Sequence, residues 1–270
     1  MASLASLPMY DWPEIRAEVD AFYAALRQPL LAAGFAAPEQ LIRSEDPLPV
    51  WRSEALLLSQ TCGLPYVRLL RDRVQLVGTP EFGLPGCDAG HYASAVVVHR
   101  DNPATDFAAL RGTTAVVNGF DSQSGFAALN HLVMRVEGDA NFFAATAVSG
   151  SHRRSAACVA AGDAAVCAID PVSWQLIQDW DRDTAARLRV LDWSDRVPAL
   201  PLITAGKRAA DELDVLRSVL QQALVDPAVA RAASALYIEG LAPLNDSHYD
   251  VVADGWATQT ALGLTKRSAI

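Results

Sequence analysis

The chain has 270 residues, a formal net charge of −9 and 51% apolar content. That length suits one large or two modest domains with a substantial core, and the acidic balance excludes nucleic acid as a partner. Charges, glycines or prolines break every apolar segment well short of the ~20 residues needed to span a bilayer, so no direct membrane insertion is expected. The stretch Met1–Tyr10 has neither a basic start nor a long apolar run, and Asp11, Trp12 and Pro13 follow it, so as written it reads as a cytoplasmic chain without an export signal. No CxxC pair occurs among Cys62, Cys87, Cys158 and Cys167, which argues against a zinc ribbon or a thioredoxin-type site. Cys62 and Cys87 lie in turn-rich segments that would form a disulfide if the two loops meet, whereas Cys158 and Cys167 read as small buried residues.

Strands and helices alternate along most of the chain, the pattern of an α/β protein with mainly parallel sheets. A first strand is predicted over residues 2–9, with Tyr10 beyond its carboxyl end. Pro13 then suits the first turn of a helix whose apolar residues Ile15, Val19, Phe22, Leu26 and Leu30 recur at helical spacing. Residues 40–43 are read as a second strand and 55–59 as a third, which runs into Gln60 and Thr61. A short helix over 65–70 and a strand over 74–79 follow. Ligands of open parallel sheets bind beyond the carboxyl ends of strands, which places Tyr10, Gln60 and Thr61 at a ligand; the plainer alternative for Gln60 is a loop amide that satisfies nearby backbone.

Residues 81–90 are dense in Gly and Pro and lack periodicity. The apolar strand predicted over 92–100 makes the first crossing between domains, with Tyr92 at its start. A second set of α/β units runs from 106 to 192: strands over 114–118, 142–149, 165–169 and 189–191, and helices over 107–110, 125–134, 152–161 and 172–180. The chain then returns through a strand over 202–205 to a helical tail, with helices near 211–224, from 226 onward and over 249–262. The expected division is one lobe of 1–91 and 193–270 and an inserted lobe of 92–192.

Two turns in the second set carry the chemistry. Ser122, Gln123, Ser124 and Gly125 join a strand to a helix, and Gly150, Ser151 and His152 do the same downstream. The first turn of a helix leaves backbone N–H groups without partners, and the aligned peptide dipoles add about half a positive charge there. Hydroxyls and a glycine at such a turn can therefore wrap an oxyanion without a lysine. Two such seats point to one polyoxygenated ligand, although Ser122 and Ser151 are also the residues expected of ordinary N-caps. Asp170 before Pro171 reads as an N-cap as well.

The segments Ser6-Leu7-Pro8-Met9-Tyr10, Leu58-Ser59-Gln60-Thr61-Cys62-Gly63, Asp121-Ser122-Gln123-Ser124-Gly125 and Gly150-Ser151-His152, with Ser155, Gly162 and Ala168-Ile169-Asp170, resemble the PhnD-like family. These are the substrate-binding components of phosphate, phosphite and phosphonate ABC transporters, among the type 2 periplasmic binding proteins. The resemblance extends to Thr204 and is strongest in the second lobe. It implies an α/β, two-lobed type 2 fold with a central cleft and two hinge crossings, and a non-catalytic protein that captures a small phosphate- or phosphonate-like oxyanion between closing lobes. Ser122, Ser124 and Gly125 match the family's phosphoryl-binding turn, with Gln123 where many members carry a small hydroxylated residue. His152, beside Ser151, matches a histidine aimed at the same oxyanion, and Asp170 an acid facing the rest of the ligand, suited to an amine or a hydroxyl. Tyr10, Gln60, Thr61 and Tyr92 complete the ligand-binding set at positions that face the cleft in such an architecture, with core or hinge packing as the alternative for the two tyrosines, and the favoured one for Tyr92.

The family also implies a periplasmic location, a monomer and an ABC transporter permease as partner. No cofactor, metal or catalytic residue is expected. The alternative is a cytoplasmic biosynthetic enzyme or a ligand-sensing domain on the same fold, with His152 and Asp170 as an acid–base pair. Against the enzyme, the sequence shows no nucleophile motif, no metal-ligand spacing, no P-loop and no GxGxxG, and its five histidines are scattered.

Overall fold

In the computed structural model, which describes residues 3–137 and 139–265, the alternation of strands and helices resolves into two α/β units. Ala2, counted in the predicted first strand, and residues 266–270 of the tail lie outside the described residues. The first unit begins with β1 (Leu4–Ser6), α1 (Arg16–Ala32), β2 (Leu56–Gln60) and β3 (Val74–Phe82). Pro13 opens a short 3-10 turn that leads directly into α1, which buries Val19, Phe22, Tyr23, Leu26 and Leu30 along one face.

Beyond Tyr92 the chain builds the second unit. It contains β4 (Ala95–His99), β5 (Thr114–Val117), a π-helical turn (Gln123–Ala127) continuing into α2 (Ala128–Arg135), β6 (Ala145–Val148), α3 (His152–Ala161), β7 (Val166–Ile169), α4 (Pro171–Trp180) and β8 (Leu188–Trp193). From Pro198 the chain is again in the first unit, adding β9 (Leu202–Ala205), α5 (Ala210–Val225), α6 (Pro227–Ser234) and β10 (Ile238–Ala242). It ends in α7 (Asp250–Ala261), which belongs to the second unit.

Each unit holds a five-stranded sheet, in the order β1-β2-β9-β3-β10 in the first and β8-β4-β7-β5-β6 in the second. Neither is mainly parallel, which corrects the expectation. In the first, only β1 and β2 run parallel, and β9 lies antiparallel to both β2 and β3. In the second, β5 is parallel to β6 and β7, whereas β4 is antiparallel to β7 and β8. β10 is antiparallel to β3 as well, whereas β4 and β9 each follow a passage from one unit to the other. A strand arriving in this way needs no helical crossover and is free to enter the sheet in the opposite direction.

Two further expectations differ. Residues 40–43 form no strand; Ile42 N–H donates to the Ala5 carbonyl at 2.7 Å, and Pro38, Pro47 and Pro49 flank the segment and prevent a longer ladder. The tail from 193 does not all belong with residues 1–91, because residues 193–197 and α7 lie in the second unit. There Trp256 of α7 packs edge-on against Phe126, with ring centroids 6.2 Å apart. Cys62 and Cys87 remain thiols.

The core of the second unit combines Val96 and Val98 of β4, Ala115 and Val117 of β5, and Val166 and Ala168 of β7 with Leu129, Leu132 and Val133 of α2. That of the first joins Leu56, Leu76 and Ile203 from its sheet with Trp51, Tyr66, Leu70 and Tyr249. Among the described residues no helix is long and apolar enough to cross a membrane.

Candidate functional site

Ser122 sits in extended conformation at the start of the π-helical turn, and its Oγ accepts the Gly125 N–H at 2.9 Å. Ala127 N–H reaches back to the Ser122 carbonyl at 3.0 Å, closing the wide turn. Ser124 Oγ is 3.4 Å from Ser122 Oγ and 2.8 Å from His152 Nε2. Gly125 has a steric reason to be glycine: a Cβ there would lie 2.0 Å from Asn118 Oδ1 and 3.2 Å from Ser122 Oγ. Asn118, immediately beyond β5, is thus part of the site, and its Oδ1 is buried without a protein partner. Sequence reasoning missed it, although its place just past a strand end was a usable signal.

The second turn is braced by hydroxyls. Ser149 Oγ lies 2.9 Å from the Ser151 carbonyl and 2.7 Å from Ser155 Oγ, so the Ser155 hydroxyl can donate to it while it donates onward. Ser151 Oγ caps α3 by accepting the Arg154 N–H at 3.2 Å. This geometry carries the first residue of α3, His152, toward Ser124. Asp170 caps α4 through Oδ1, which accepts the Ser173 N–H at 2.9 Å, while its Oδ2 stands 3.3 Å from His152 Nε2. Both side chains are buried. Burial pushes the His152 pKa below its ordinary value of 6.5; the Asp170 carboxylate and the Ala168 backbone oppose that shift without cancelling it. The ring is therefore neutral at neutral pH.

Ser124, His152 and Asp170 form no catalytic relay. In a Ser–His–Asp triad the acid holds one ring nitrogen while the other faces the serine. Here both contacts converge on Nε2.

The structure thus brings Ser122, Ser124, Gly125, His152 and Asp170 into one cluster with Asn118, and sets Ser151 beside it as a helix cap. Gln123 departs from the group: it lines a cavity of about 40 Å³ that also contains Tyr92, Ser94, His131 and Gln259. In the first unit, Gln60 Nε2 donates to the Leu200 carbonyl at 3.3 Å, and Thr61 N–H donates to the Pro201 carbonyl at 3.1 Å. Tyr10 meets Phe82 edge-on at 5.8 Å, and with Gln60, Leu202 and Leu241 it lines a mostly apolar pocket of that unit.

The fold of this α/β chain is that of the two-lobed periplasmic binding proteins. The family model for the periplasmic substrate-binding proteins of phosphonate ABC transporters matches residues 52–249. The chain belongs to that family and is a non-catalytic solute-binding component of such a system. No curated protein matches it in sequence. Among solved structures it is similar to PhnD1 from Prochlorococcus marinus in complex with methylphosphonate (TM-score 0.78, 14% identity, covering 96% of this chain and 98% of that one). It is similar also to a binding protein component of an ABC phosphonate transporter from Pseudomonas aeruginosa (0.77, 12%, 98% and 89%). XAC2383 from Xanthomonas citri bound to ATP is a third (0.75, 17%, 99% and 100%).

Proposed function

We propose that this chain binds a small phosphonate or phosphate-like oxyanion at the Ser122–Gly125 turn and the His152 end of α3, and delivers it as a monomer to an ABC transporter permease. The observation that carries this reading is the convergence of Ser124 Oγ and His152 Nε2, 2.8 Å apart, at the ends of two separate helices. Hydroxyl, imidazole and first-turn N–H groups together supply the donors that a tetrahedral oxyanion requires. Asp170 narrows the ligand class. A carboxylate 3.3 Å from the same imidazole repels a fully ionised dianion, so the favoured ligand retains a proton or carries an ammonium or hydroxyl group. Tyr92 and Gln123 support the turn from the side of the cavity that both line.

The test is calorimetric titration of unfolded and refolded protein, freed of any co-purified molecule, with methylphosphonate, 2-aminoethylphosphonate, phosphite, phosphate and sulfate. Saturable binding of a phosphorus oxyanion in preference to sulfate supports the reading, and thermal stabilisation should then grow with the logarithm of ligand concentration. Binding of none of the five overturns it. Size-exclusion with light scattering tests the monomer.

A further inference from the structure

We infer that Gln259, on the C-terminal helix α7, positions the oxyanion-binding turn; the inference rests on the reading of Ser122–Gly125 as that turn. Gln259 is buried at 2% exposure, and its Nε2 donates to the Ala127 carbonyl at 3.0 Å. Ala127 is the last residue of the π-helical turn whose first residues are Gln123 and Ser124, so this bond grips the turn from its far end. Two neighbouring contacts hold the same helix. Trp256 packs on Phe126, and Asn130 Nδ2 donates to the Leu264 carbonyl at 3.2 Å. All of these partners from the C-terminal segment lie beyond residue 249, where the match to the family ends.

The other end of the amide argues that the bond to Ala127 is the purpose of this side chain. Gln259 and Ser94 both line the cavity, and Gln259 Oε1 and Ser94 Oγ are buried without protein partners. A buried polar atom left unpaired costs stability, and an apolar side chain of similar size would fill the position without that cost. What glutamine adds is the bond to the turn. A π-helical turn is wider than an α-helical one and rare, and a side-chain donor on its final carbonyl fixes the spacing of the Ser124 and Gly125 groups.

The experiment uses the full chain and two substitutions. Gln259→Leu removes the bond; Val252→Ala, at a buried position of the same helix, removes packing alone. In ligand-free protein, backbone amide exchange at Gly125–Ala127 is expected to quicken about tenfold in Gln259→Leu and to stay unchanged in Val252→Ala, which should only lower the melting temperature. Methylphosphonate affinity is expected to fall about fivefold in the former and to hold in the latter. Unchanged exchange in Gln259→Leu, or equal acceleration in both variants, overturns the inference. Gln259→Met, which keeps the length, replaces Gln259→Leu if that protein does not fold. Because exchange is read without ligand, accelerated exchange in a protein whose parent binds no oxyanion supports the positioning role and rejects only the ligand reading.

Discussion

Ser124 and His152 are 28 residues apart in sequence and on different helices, yet their Oγ and Nε2 atoms stand 2.8 Å apart. The two are therefore energetically linked and should not behave additively. Ser124→Ala alone should weaken oxyanion binding by about 1–2 kcal/mol, and His152→Ala by at least as much. Because they touch, the double variant should depart from the sum of the two by about 0.5–3 kcal/mol. A calorimetric double-mutant cycle measures this, and strict additivity would show that the pair does not share a ligand.

Asp170 sorts the ligands. Asp170→Asn keeps a capping oxygen for the Ser173 N–H, so stability should change by no more than about 0.5 kcal/mol, while the charge beside His152 disappears. Affinity for phosphate and methylphosphonate should then rise, and affinity for 2-aminoethylphosphonate should fall. Parallel titrations with the three ligands decide it; equal changes for all would remove Asp170 from contact with the ligand.

His152 makes a pH prediction with a definite sign. Its folded pKa is depressed, so between that value and its ordinary 6.5 the unfolded chain binds a proton that the folded chain does not. Its contribution to stability is full above 6.5 and is lost as the pH falls toward the depressed value. Urea unfolding across this range should show the parent losing stability on acidification relative to His152→Gln; identical slopes would contradict the assignment. A bound anion pushes the imidazole pKa back up, so ligand binding should take up protons, read as a dependence of binding enthalpy on the buffer.

Gly125 and Asn118 give a steric test. Gly125→Ala places a Cβ against Asn118 Oδ1 and should cost about 1–3 kcal/mol in chemical denaturation. Trimming the obstacle with Asn118→Ala in the same chain should recover most of that loss. If it does not, the glycine is required for a reason other than the space Asn118 occupies.

The helix-end turns were legible because their signals are local. Ser122 and Ser151 cap the helices they precede, and Asp170 before Pro171 caps α4, as their sequence neighbours indicated. What escaped was set mostly by partners far along the chain and in one case by neighbouring prolines. The antiparallel entry of β9 depends on where the chain re-enters its sheet, the failed strand at 40–43 on its proline neighbours, and the placement of α7 on contacts such as that of Gln259 with Ala127, 132 residues away. Gln123 shows the same limit within the turn: only the fold reveals that its side chain lines a cavity with Ser94 and Gln259.

Residues 250–265, which end in the second unit, also set the order in which a growing chain can mature. Residues 122–125 emerge from the ribosome long before Trp256 and Gln259, and until those arrive the helix behind Ser124 lacks part of the surface it packs against. The unit that would hold the oxyanion is thus finished last, with the synthesis of α7, and a transcript cut short near residue 249 would retain every residue proposed to touch the ligand while losing the brace behind them.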